Sequence, residues 1–373
     1  MRPYLAWLTL ALCILPYSAV SSEEAAQDIS HCLGASLDAS GMDIDAVVGL
    51  SVAIVPVQRE WSWVAARGLA DRETQEVLTT GHGFRIASNT KTWTAAGVLQ
   101  LVERGKLGLD DPIADHLSDD YVVLLARGGY DPQALRVRHL LNHTAGLREH
   151  VSEEWLKQHG ANPDHVWTAR EQVELAMAAG APLAAPGIEF HYSDTGYILL
   201  GLMIERHTGQ PLHAALRSMQ RWDALGVPRI WFETREPARA AQSQQYWAGQ
   251  PISHWHPSFD LYGGGGLVAT PVDMAVFLRA LLAGEMFESP ASLAFMQAPG
   301  IPGAWNDYGA GLFRMEVDGE KLLGHAGYWN TFAFFAPADG VIYAGATVEK
   351  SALSYPQLIS TLRSAFRSCA SPN

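Results

Sequence analysis

Ser88 and Lys91 stand three residues apart and could form a nucleophile and the base that activates it. A serine hydroxyl is a poor nucleophile at neutral pH unless a base within hydrogen-bond reach takes its proton. Positions i and i+3 of a helix are neighbours on one face, so Lys91 can point back at Ser88. An apolar helical pattern follows, and burial there would lower the pKa of the lysine toward that of a useful base. The pair predicts acyl transfer through serine; a capped, solvated surface helix is the alternative.

A second acid–base group is offered by Tyr192, which is followed by Ser193 and Asp194 just before a predicted helix over Thr195–His207. A phenol held beside an ammonium group has a lowered pKa, which suits proton transfer. The alternative is a partly buried aromatic side chain next to a residue that caps the helix.

A third motif, His325-Ala326-Gly327 followed by Tyr328, precedes a predicted strand over Thr331–Ala336. Glycine at position 327 would let a ligand approach the strand edge closely. A backbone N–H at that edge could bind an oxyanion together with the N–H of Ser88. A purely structural histidine is the alternative interpretation of His325.

The elements that must position these motifs form strands at both ends of the chain and helices in the middle. Val47–Val57 and Trp61–Ala66 read as strands, and two late hairpins turn at 318–319 and 337–340. Short helices are predicted over 28–40 and 352–366. We therefore predict an α+β fold in which one antiparallel sheet is built from both chain ends, is flanked by the terminal helices and carries an inserted, mostly helical domain.

This layout predicts a division of the chain into two structural units after a leader. The sheet domain would comprise residues 23–87 and 262–373. The helical domain would comprise residues 88–261 and would carry both the Ser-Lys helix and the Tyr-Ser-Asp motif.

The N-terminal residues have the pattern of an export signal. A positive Arg2 precedes the apolar stretch Tyr4–Leu15, Pro16 interrupts it, and small residues at 19–21 offer a cleavage site. The stretch is too short to span a bilayer, so we predict a signal peptide over residues 1–22, no stable membrane span after cleavage, and a periplasmic or extracellular protein. A retained N-terminal anchor is the alternative.

Cleavage would leave two cysteines, Cys32 and Cys369, near opposite ends of the mature chain. Two cysteines in an exported protein predict one disulfide that ties the termini together, with two free thiols as the alternative. The predicted sheet, built from both ends, would bring them close.

Composition excludes some classes of partner and gives no sign of a cofactor. The 373 residues are 48% hydrophobic and 17% charged with a net charge of −13, and they lack the clustered lysines and arginines that nucleic acid binding requires. His139 and His143 have a zinc-compatible i, i+4 spacing, but no His-Glu-x-x-His accompanies them. We predict no metal and no cofactor.

Taken in this order, the three motifs resemble the serine β-lactamase and penicillin-binding-protein superfamily. The resemblance is to its class C β-lactamase-like branch, which includes D-alanyl-D-alanine carboxypeptidases, D-aminopeptidases and esterases, and it covers roughly residues 45–350. None of the motifs is specific alone, whereas the ordered set is. Further stretches similar to that branch are 84–88 (FRIAS), 140–147 (LLNHTAGL) and 264–270 (GGGLVAT).

The resemblance implies a role for each motif residue. Ser88 would be the acylated nucleophile and Lys91 a base that activates it. Tyr192 would protonate the leaving group and help to activate the water that releases the acyl group. His325 and Gly327 would match the third motif. The N–H groups of Ser88 and Tyr328 would form the oxyanion hole.

The chain departs from the family pattern at Asp194, where the resemblance implies an asparagine. A carboxylate near Lys91 would raise the pKa of that lysine and repel an anionic substrate, unless Asp194 is protonated or is turned away as a helix cap. His325 would be mostly neutral at pH 7, so efficient action on β-lactams is in doubt.

The residues and the resemblance together predict an exported serine hydrolase that cleaves an ester, peptide or β-lactam carbonyl. A carboxypeptidase- or esterase-like activity on a small-molecule or peptide substrate, including one derived from the cell wall, is favoured because tryptophans would shape an aromatic cleft. These are Trp155, Trp167, Trp247, Trp255 and Trp329. A weakly catalytic or non-catalytic penicillin-recognising sensor is the alternative, motivated by Asp194.

Overall fold

A seven-stranded antiparallel sheet forms the centre of the computed structural model, which describes residues 23–58, 61–304 and 307–370. The predicted signal peptide, residues 1–22, lies outside the described residues. The strands of the chain are β1 (Gly49–Pro56), β2 (Trp63–Asp71), β3 (Glu76–Val77), β4 (Phe84–Arg85), β5 (Ile230–Phe232), β6 (Tyr246–Trp247), β7 (Gln250–Pro251), β8 (Leu267–Ala269), β9 (Phe313–Val317), β10 (Glu320–Gly327), β11 (Thr331–Ala336) and β12 (Val341–Thr347).

The order of the large sheet is β3-β2-β1-β12-β11-β10-β9, so strands from the two chain ends meet at its centre. There β1 pairs with β12 in a register that places Leu50 opposite Thr347. Every residue of both central strands is buried, as expected when helices cover both faces of a sheet. The prediction of one antiparallel sheet built from both chain ends is confirmed.

Most helices lie between the two groups of sheet strands. They are α1 (Glu23–Asp38), α2 (Ile44–Val47), α3 (Thr90–Glu103), α4 (Asp119–Arg127), α5 (Val137–Leu141), α6 (Glu153–Ala161), α7 (Ala169–Ala178), α8 (Asp194–Thr208), α9 (Leu212–Gln220), α10 (Pro271–Leu282), α11 (Pro290–Gln297) and α12 (Tyr355–Ala370), with 3₁₀ turns at Ala87–Asn89, Ile113–Asp115 and Pro257–Asp260. The helical insertion is therefore present, while its exact domain bounds stay a prediction.

Helices cover the sheet on both sides. On one face α1 and α12 pack against it through apolar residues that include Leu33 and Leu362. On the other face α10 packs against β1, β11 and β12 and joins them to the larger core of the helical region. The flanking terminal helices are therefore confirmed.

Cys32 and Cys369 form a disulfide that joins α1 to α12, with their Cα atoms 5.7 Å apart. The predicted pairing is thus present and links residues separated by 337 positions. Within the described residues, no helix is both long enough and apolar enough to cross a bilayer.

Candidate active site

Ser88 lies in the 3₁₀ turn between β4 and α3, and this turn is attached to the protein on two sides. On one side, the N–H of Ile86 donates to Leu267 O of β8 at 3.0 Å. On the other side, the Asn89 amide donates to Thr331 Oγ1 of β11 at 2.9 Å. Because the anchors come from a strand of the small β4-β8-β5 sheet and from the large sheet, the Ser88 hydroxyl is held at the junction between them.

Lys91, in the first turn of α3, has its ammonium group surrounded by acceptors. Its Nζ donates to Ser88 Oγ at 2.9 Å, to Gly264 O at 2.9 Å, and to the carboxylate of Asp194. The side chain is completely buried. An ammonium group has three donors and no acceptor, so a carbonyl oxygen and a carboxylate beside Nζ favour a protonated lysine in the resting state.

Asp194 is the group that fixes this protonation state. Burial alone would lower the pKa of Lys91, but the Asp194 carboxylate and Tyr192 outweigh it and raise that pKa above its ordinary value. The expectation that burial makes Lys91 a low-pKa base is therefore wrong, whereas the expected effect of Asp194 is observed. The cap alternative also fails, because Ser193 caps α8 by accepting from Gly196 N at 3.3 Å.

Glu149 is hydrogen-bonded to the backbone of Asp194. Its carboxylate accepts the backbone N–H of Asp194, accepts the N–H of Val151 at 2.8 Å and lies 3.0 Å from His150 Nδ1. Burial raises the pKa of Asp194; the Lys91 ammonium acts against this and the Glu149 carboxylate adds to it, with a raised pKa as the result. The two carboxyl groups and the one ammonium therefore form a single buried charge cluster.

Tyr192 completes the cluster, but its pKa moves in the direction opposite to the one expected. Burial raises the pKa of the phenol to about 12, although the Lys91 charge and hydrogen bonds with Lys91 and Ser88 act to lower it. The prediction of a lowered tyrosine pKa is wrong because the cost of burying a phenolate exceeds the attraction of the ammonium. At neutral pH the phenol keeps its proton and is able to donate it.

The Tyr192 ring is supported by His143, whose ring centroid lies 4.2 Å away. His143 Nδ1 accepts the N–H of Ser193 at 3.1 Å, which ties the ring to the start of α8. Burial and the nearby Lys91 charge hold the pKa of His143 well below its usual range. A neutral imidazole therefore stacks against the tyrosine and adds no charge to the site.

His325 is a buried, neutral hydrogen-bonding residue. Its Nδ1 lies 2.7 Å from Ala326 O, a group that only accepts, so Nδ1 carries the proton and Nε2 accepts from Tyr308 Oη at 3.0 Å. Burial and the Lys91 charge lower the pKa of His325 to about 3. The third motif therefore presents no positive charge, in agreement with the expectation of a neutral histidine.

Gly327 and Tyr328 lie at the end of β10, beside the Ser88 turn. A Cβ atom on Gly327 would lie 2.2 Å from Ile86 O and 2.5 Å from Thr331 Oγ1, so this glycine allows the backbone to approach the turn before Ser88. The sequence predicts that a ligand approaches closely at this glycine, whereas in the structure the close neighbour is the protein's own backbone. The Tyr328 ring is 37% exposed and lies 3.5 Å from Lys350 Nζ.

Two cavities meet at Ser88. The larger, about 720 Å³, is lined mainly by apolar and aromatic groups such as Phe190, Phe313 and Tyr355, with His325 and Lys350 at its wall. The smaller, about 270 Å³ and more enclosed, is lined by aromatic rings and carboxyl groups. Ser88, Tyr192 and Tyr328 belong to both linings, so a carbonyl near Ser88 could send one substituent into each cavity.

The predicted aromatic cleft is present in part. Trp155 and Trp329 line the smaller cavity. Trp255 is buried in the same cluster as Phe259, which also lines the cavity, and Trp167 and Trp247 pack against that cluster. Two of the five tryptophans therefore line the smaller cavity, and the other three pack around the residues that form its wall.

The two histidines of the considered zinc motif do not share a helix face. Helix α5 ends at Leu141, and His143 follows it with a positive φ of 58°. Within the described residues, no group of three histidine, cysteine or carboxylate side chains is arranged to hold a metal ion.

Comparison with known proteins places these residues in a family. The Beta-lactamase family model matches residues 35–351, which include Ser88, Lys91, Tyr192 and His325. The chain belongs to the β-lactamase family. Three relatives are named as hydrolases: an esterase, a D-aminopeptidase and a D-amino acid amidase.

Esterase EstB of Burkholderia gladioli is 36% identical over 211 residues, which is 54% of this chain and 51% of that protein. The D-aminopeptidase of Brucella anthropi is 26% identical over 269 residues, which is 70% of this chain and 48% of that protein. The chain thus matches about half the length of each of these curated relatives. Among solved structures, the D-amino acid amidase of Ochrobactrum anthropi SV3, complexed with L-phenylalanine amide, superimposes with a TM-score of 0.72 at 26% identity and covers 93% of this chain and 100% of that one.

The β-lactamase-family resemblance pointed to Ser88, Lys91, Tyr192 and Asp194, and the structure brings all of them into one buried cluster. Sequence reasoning missed Glu149, Asp260 and Tyr308. Glu149 follows the family-like stretch 140–147 by two residues, and Asp260 shortly precedes the glycines at 263–266. Both residues therefore lie next to stretches that the sequence analysis identifies. No local pattern marks either carboxyl group as part of the site.

Proposed function

We propose that this chain hydrolyses esters or amides with an uncharged leaving group through an acyl-enzyme on Ser88. The observation that carries the proposal is the 2.9 Å hydrogen bond between Lys91 Nζ and Ser88 Oγ at the meeting point of two cavities. A hydroxyl and an amine in this contact form the nucleophile–base pair that acyl transfer needs. The named esterase and amidase relatives support a substrate of ester or amide type.

The reaction would proceed in two steps, acylation of Ser88 and hydrolysis of the acyl-enzyme. Lys91 first loses one proton to water, and its free amine takes the proton of Ser88 as Oγ attacks the carbonyl carbon. The bond to the leaving group then breaks, and Tyr192, hydrogen-bonded to both Ser88 and Lys91, supplies the proton that the leaving group needs. In the second step the Tyr192 phenolate takes a proton from the attacking water, and the Lys91 ammonium returns a proton to Ser88 Oγ as the acyl bond breaks, which releases the acid and restores all three residues.

Two backbone N–H groups would stabilise the negative charge on the carbonyl oxygen. In this proposal they are those of Ser88, in its 3₁₀ turn, and of Tyr328, directly after β10. Both residues line both cavities. Fixed donors of this kind usually supply the largest part of the stabilisation of such an intermediate.

An uncharged leaving group is supported by the neutral state of His325. A substrate carboxylate in the larger cavity would need a cation, and the buried imidazole with its low pKa supplies none. A carboxypeptidase-like activity is the second candidate, because Lys350 also lines that cavity and lies over the Tyr328 ring. Lys350 is the residue through which a terminal carboxylate would be held.

Covalent labelling tests the proposal directly. We expect a fluorophosphonate probe to add one adduct to the wild-type protein by intact-mass spectrometry and none to Ser88→Ala. Absence of an adduct on the wild type, under conditions that label a related esterase, would overturn the proposal and favour the non-catalytic sensor.

A substrate panel then separates the candidates. We expect p-nitrophenyl butyrate to be cleaved fastest, a D-Ala-D-Ala peptide slowly and nitrocefin least. A preference for the D-Ala-D-Ala peptide that disappears in Lys350→Met would instead establish the carboxypeptidase-like activity.

We also propose that the protein is exported. The Cys32–Cys369 disulfide supports an oxidising compartment, in which small molecules and cell-wall peptides would be available as substrates. N-terminal sequencing of the protein from fractionated cells should find a mature chain that begins near residue 23. A full-length chain in the membrane fraction would favour the retained anchor.

A further inference from the structure

The smaller cavity at Ser88 has an unusual distribution of charge. Carboxyl groups of Glu149, Glu153, Asp194 and Asp260 line it together with aromatic side chains, and its described lining contains no lysine, arginine or histidine. A cavity built from carboxylates and aromatic faces favours a positively charged group, through ion pairing and through cation–π contact.

The carboxyl groups differ in whether the protein already neutralises them. Asp194 is in contact with the Lys91 ammonium, and Glu149 lies against His150 and accepts two backbone N–H groups. Among the described residues, the Asp260 side chain has neither a hydrogen bond nor an ion pair. Glu153 is exposed to solvent at the start of α6, so Asp260 is the carboxyl group enclosed in the cavity and available to a ligand.

Asp260 is held in the cavity by a specific feature of the backbone. A Cβ atom on Gly265 would lie 2.1 Å from Asp260 Oδ1 and 2.2 Å from its Cγ, so the carboxyl group rests directly against the glycine. Burial and the neighbouring Asp194 carboxylate raise the pKa of Asp260 to about 7, against the effect of Lys91. A cation bound beside Asp260 would offset both the burial of its carboxylate and the repulsion from Asp194.

A second observation indicates that the cavity receives a ligand. Trp155 lines it and is only 7% exposed, and its indole N–H has no hydrogen-bond partner among the described residues. A buried donor without a partner is costly, and because the nitrogen itself is enclosed, a small rotation of the indole ring would let a ligand carbonyl or hydroxyl satisfy it. Aromatic surface of Phe259 and Trp329 completes the wall.

We infer that Asp260 is a specificity-determining residue that selects substrates whose acyl group carries a positive charge. This inference rests on the proposed acyl-enzyme mechanism and adds the charge of the substrate to it. The acyl group stays on Ser88 after the first step whereas the leaving group departs, so the smaller, more enclosed cavity suits the acyl group. The larger, more open cavity suits the leaving group.

A pair of isosteric esters tests the inference. The p-nitrophenyl ester of 4-(trimethylammonio)butanoate carries one positive charge, and the p-nitrophenyl ester of 5,5-dimethylhexanoate has the same shape without it. The quaternary nitrogen cannot attack its own ester. We expect kcat/KM for the cationic ester to exceed that for the neutral ester by about tenfold or more in the wild type, as a single ion pair with cation–π contact would give.

Two variants identify Asp260 as the cause. We expect Asp260→Asn to bring the ratio of the two kcat/KM values close to one. Gly265→Ala keeps the carboxyl group but displaces it, because the new Cβ would overlap the Asp260 side chain, and it should lower the ratio as well. Asp119→Asn removes the same charge from the exposed start of α4 and should leave the ratio as in the wild type.

Each result is decisive for one of the two proposals. A wild-type ratio near one, or a high ratio that persists in both Asp260→Asn and Gly265→Ala, would overturn the role of Asp260 while the acyl-enzyme mechanism stands. Failure of both esters to react, combined with no fluorophosphonate adduct on Ser88, would overturn the mechanism and this inference with it.

Discussion

Replacing Asp194 by asparagine should move the pH dependence of acylation to lower pH. The Asp194 carboxylate contacts Lys91 Nζ, and it is a main reason why the pKa of this lysine is raised. Lys91 must lose a proton before it can accept the one from Ser88. Removing the negative charge leaves burial, which favours the neutral amine, as the dominant influence on Lys91.

The size of the shift follows from the contact. An opposite charge at this range typically changes a pKa by about 1–3 units. Each unit corresponds to about 1.4 kcal/mol, so acylation on the alkaline limb should become about 10- to 1000-fold faster at a pH below the Lys91 pKa of both proteins. The asparagine has the shape of the aspartate, and its amide oxygen is able to accept the hydrogen bond from Lys91.

The assay is kcat/KM for p-nitrophenyl butyrate from pH 5 to 11, with acyl-enzyme formation followed by intact mass. Asp119→Asn serves as the control for loss of one negative charge and should reproduce the wild-type profile. An unchanged profile in Asp194→Asn would separate Asp194 from the base and refute the reasoning. Loss of activity at every pH would show that Asp194 itself takes the proton from Lys91.

Three further outcomes are expected. Tyr192→Phe should lower kcat by about 10²- to 10⁴-fold for an alkyl ester and much less for a p-nitrophenyl ester, whose leaving group needs no proton; equal losses with both would contradict its role as the acid. Exchange of both Cys32 and Cys369 for serine should reduce the free energy of unfolding by about 2–5 kcal/mol in urea titrations, because the disulfide closes a very long loop; an unchanged midpoint would contradict this. Gly327→Ala should lower both thermal stability and activity, because its Cβ would lie 2.2 Å from Ile86 O; a variant with wild-type melting temperature and kcat would show that the turn before Ser88 tolerates displacement.

The strands of the sheet could be predicted from sequence because each is marked by nearby apolar and turn residues. Strand patterns and turn residues marked the β9–β10 hairpin at 318–319 and the β11–β12 hairpin at 337–340, and the structure differs from the predicted strands by only a few residues at their ends. The meeting of both chain ends in one sheet followed from strands occurring at both ends with helices between them.

The nucleophile and its partners could be predicted from their order, but the electrostatics of the site could not. The pKa of Tyr192 is raised where a lowered value is expected, and at Lys91 the raising effect of Asp194 and Tyr192 exceeds the lowering effect expected from burial. The outcome depends on how deeply each group is buried and on which charges face it, and neither quantity is written in the spacing of residues. The ion pair between Lys91 and Asp194, for example, joins residues that are 103 positions apart in the sequence.

Glu149 and Asp260 show the same limit in another form. Glu149 is a single carboxyl residue in a loop and Asp260 one at the end of a short 3₁₀ turn, and such segments contain many carboxyl residues. Only the packing of α6, α8 and the glycine run at 263–266 brings them to one cavity. A sequence pattern identifies neighbours along the chain, whereas this cavity is made of residues that meet only in the folded protein.

The pairing of β1 with β12 also sets a limit on when this protein can fold. Leu50 pairs with Thr347, so the centre of the sheet cannot close until nearly all of the chain has left the ribosome. Contacts of such long sequence separation fold slowly, since the loop between them must be ordered first. Until then β1 lacks its partner β12, and the apolar side chains that β1 buries in the folded sheet have no strand on that side. For this chain the end of translation is the earliest moment at which Ser88 can acquire its surroundings.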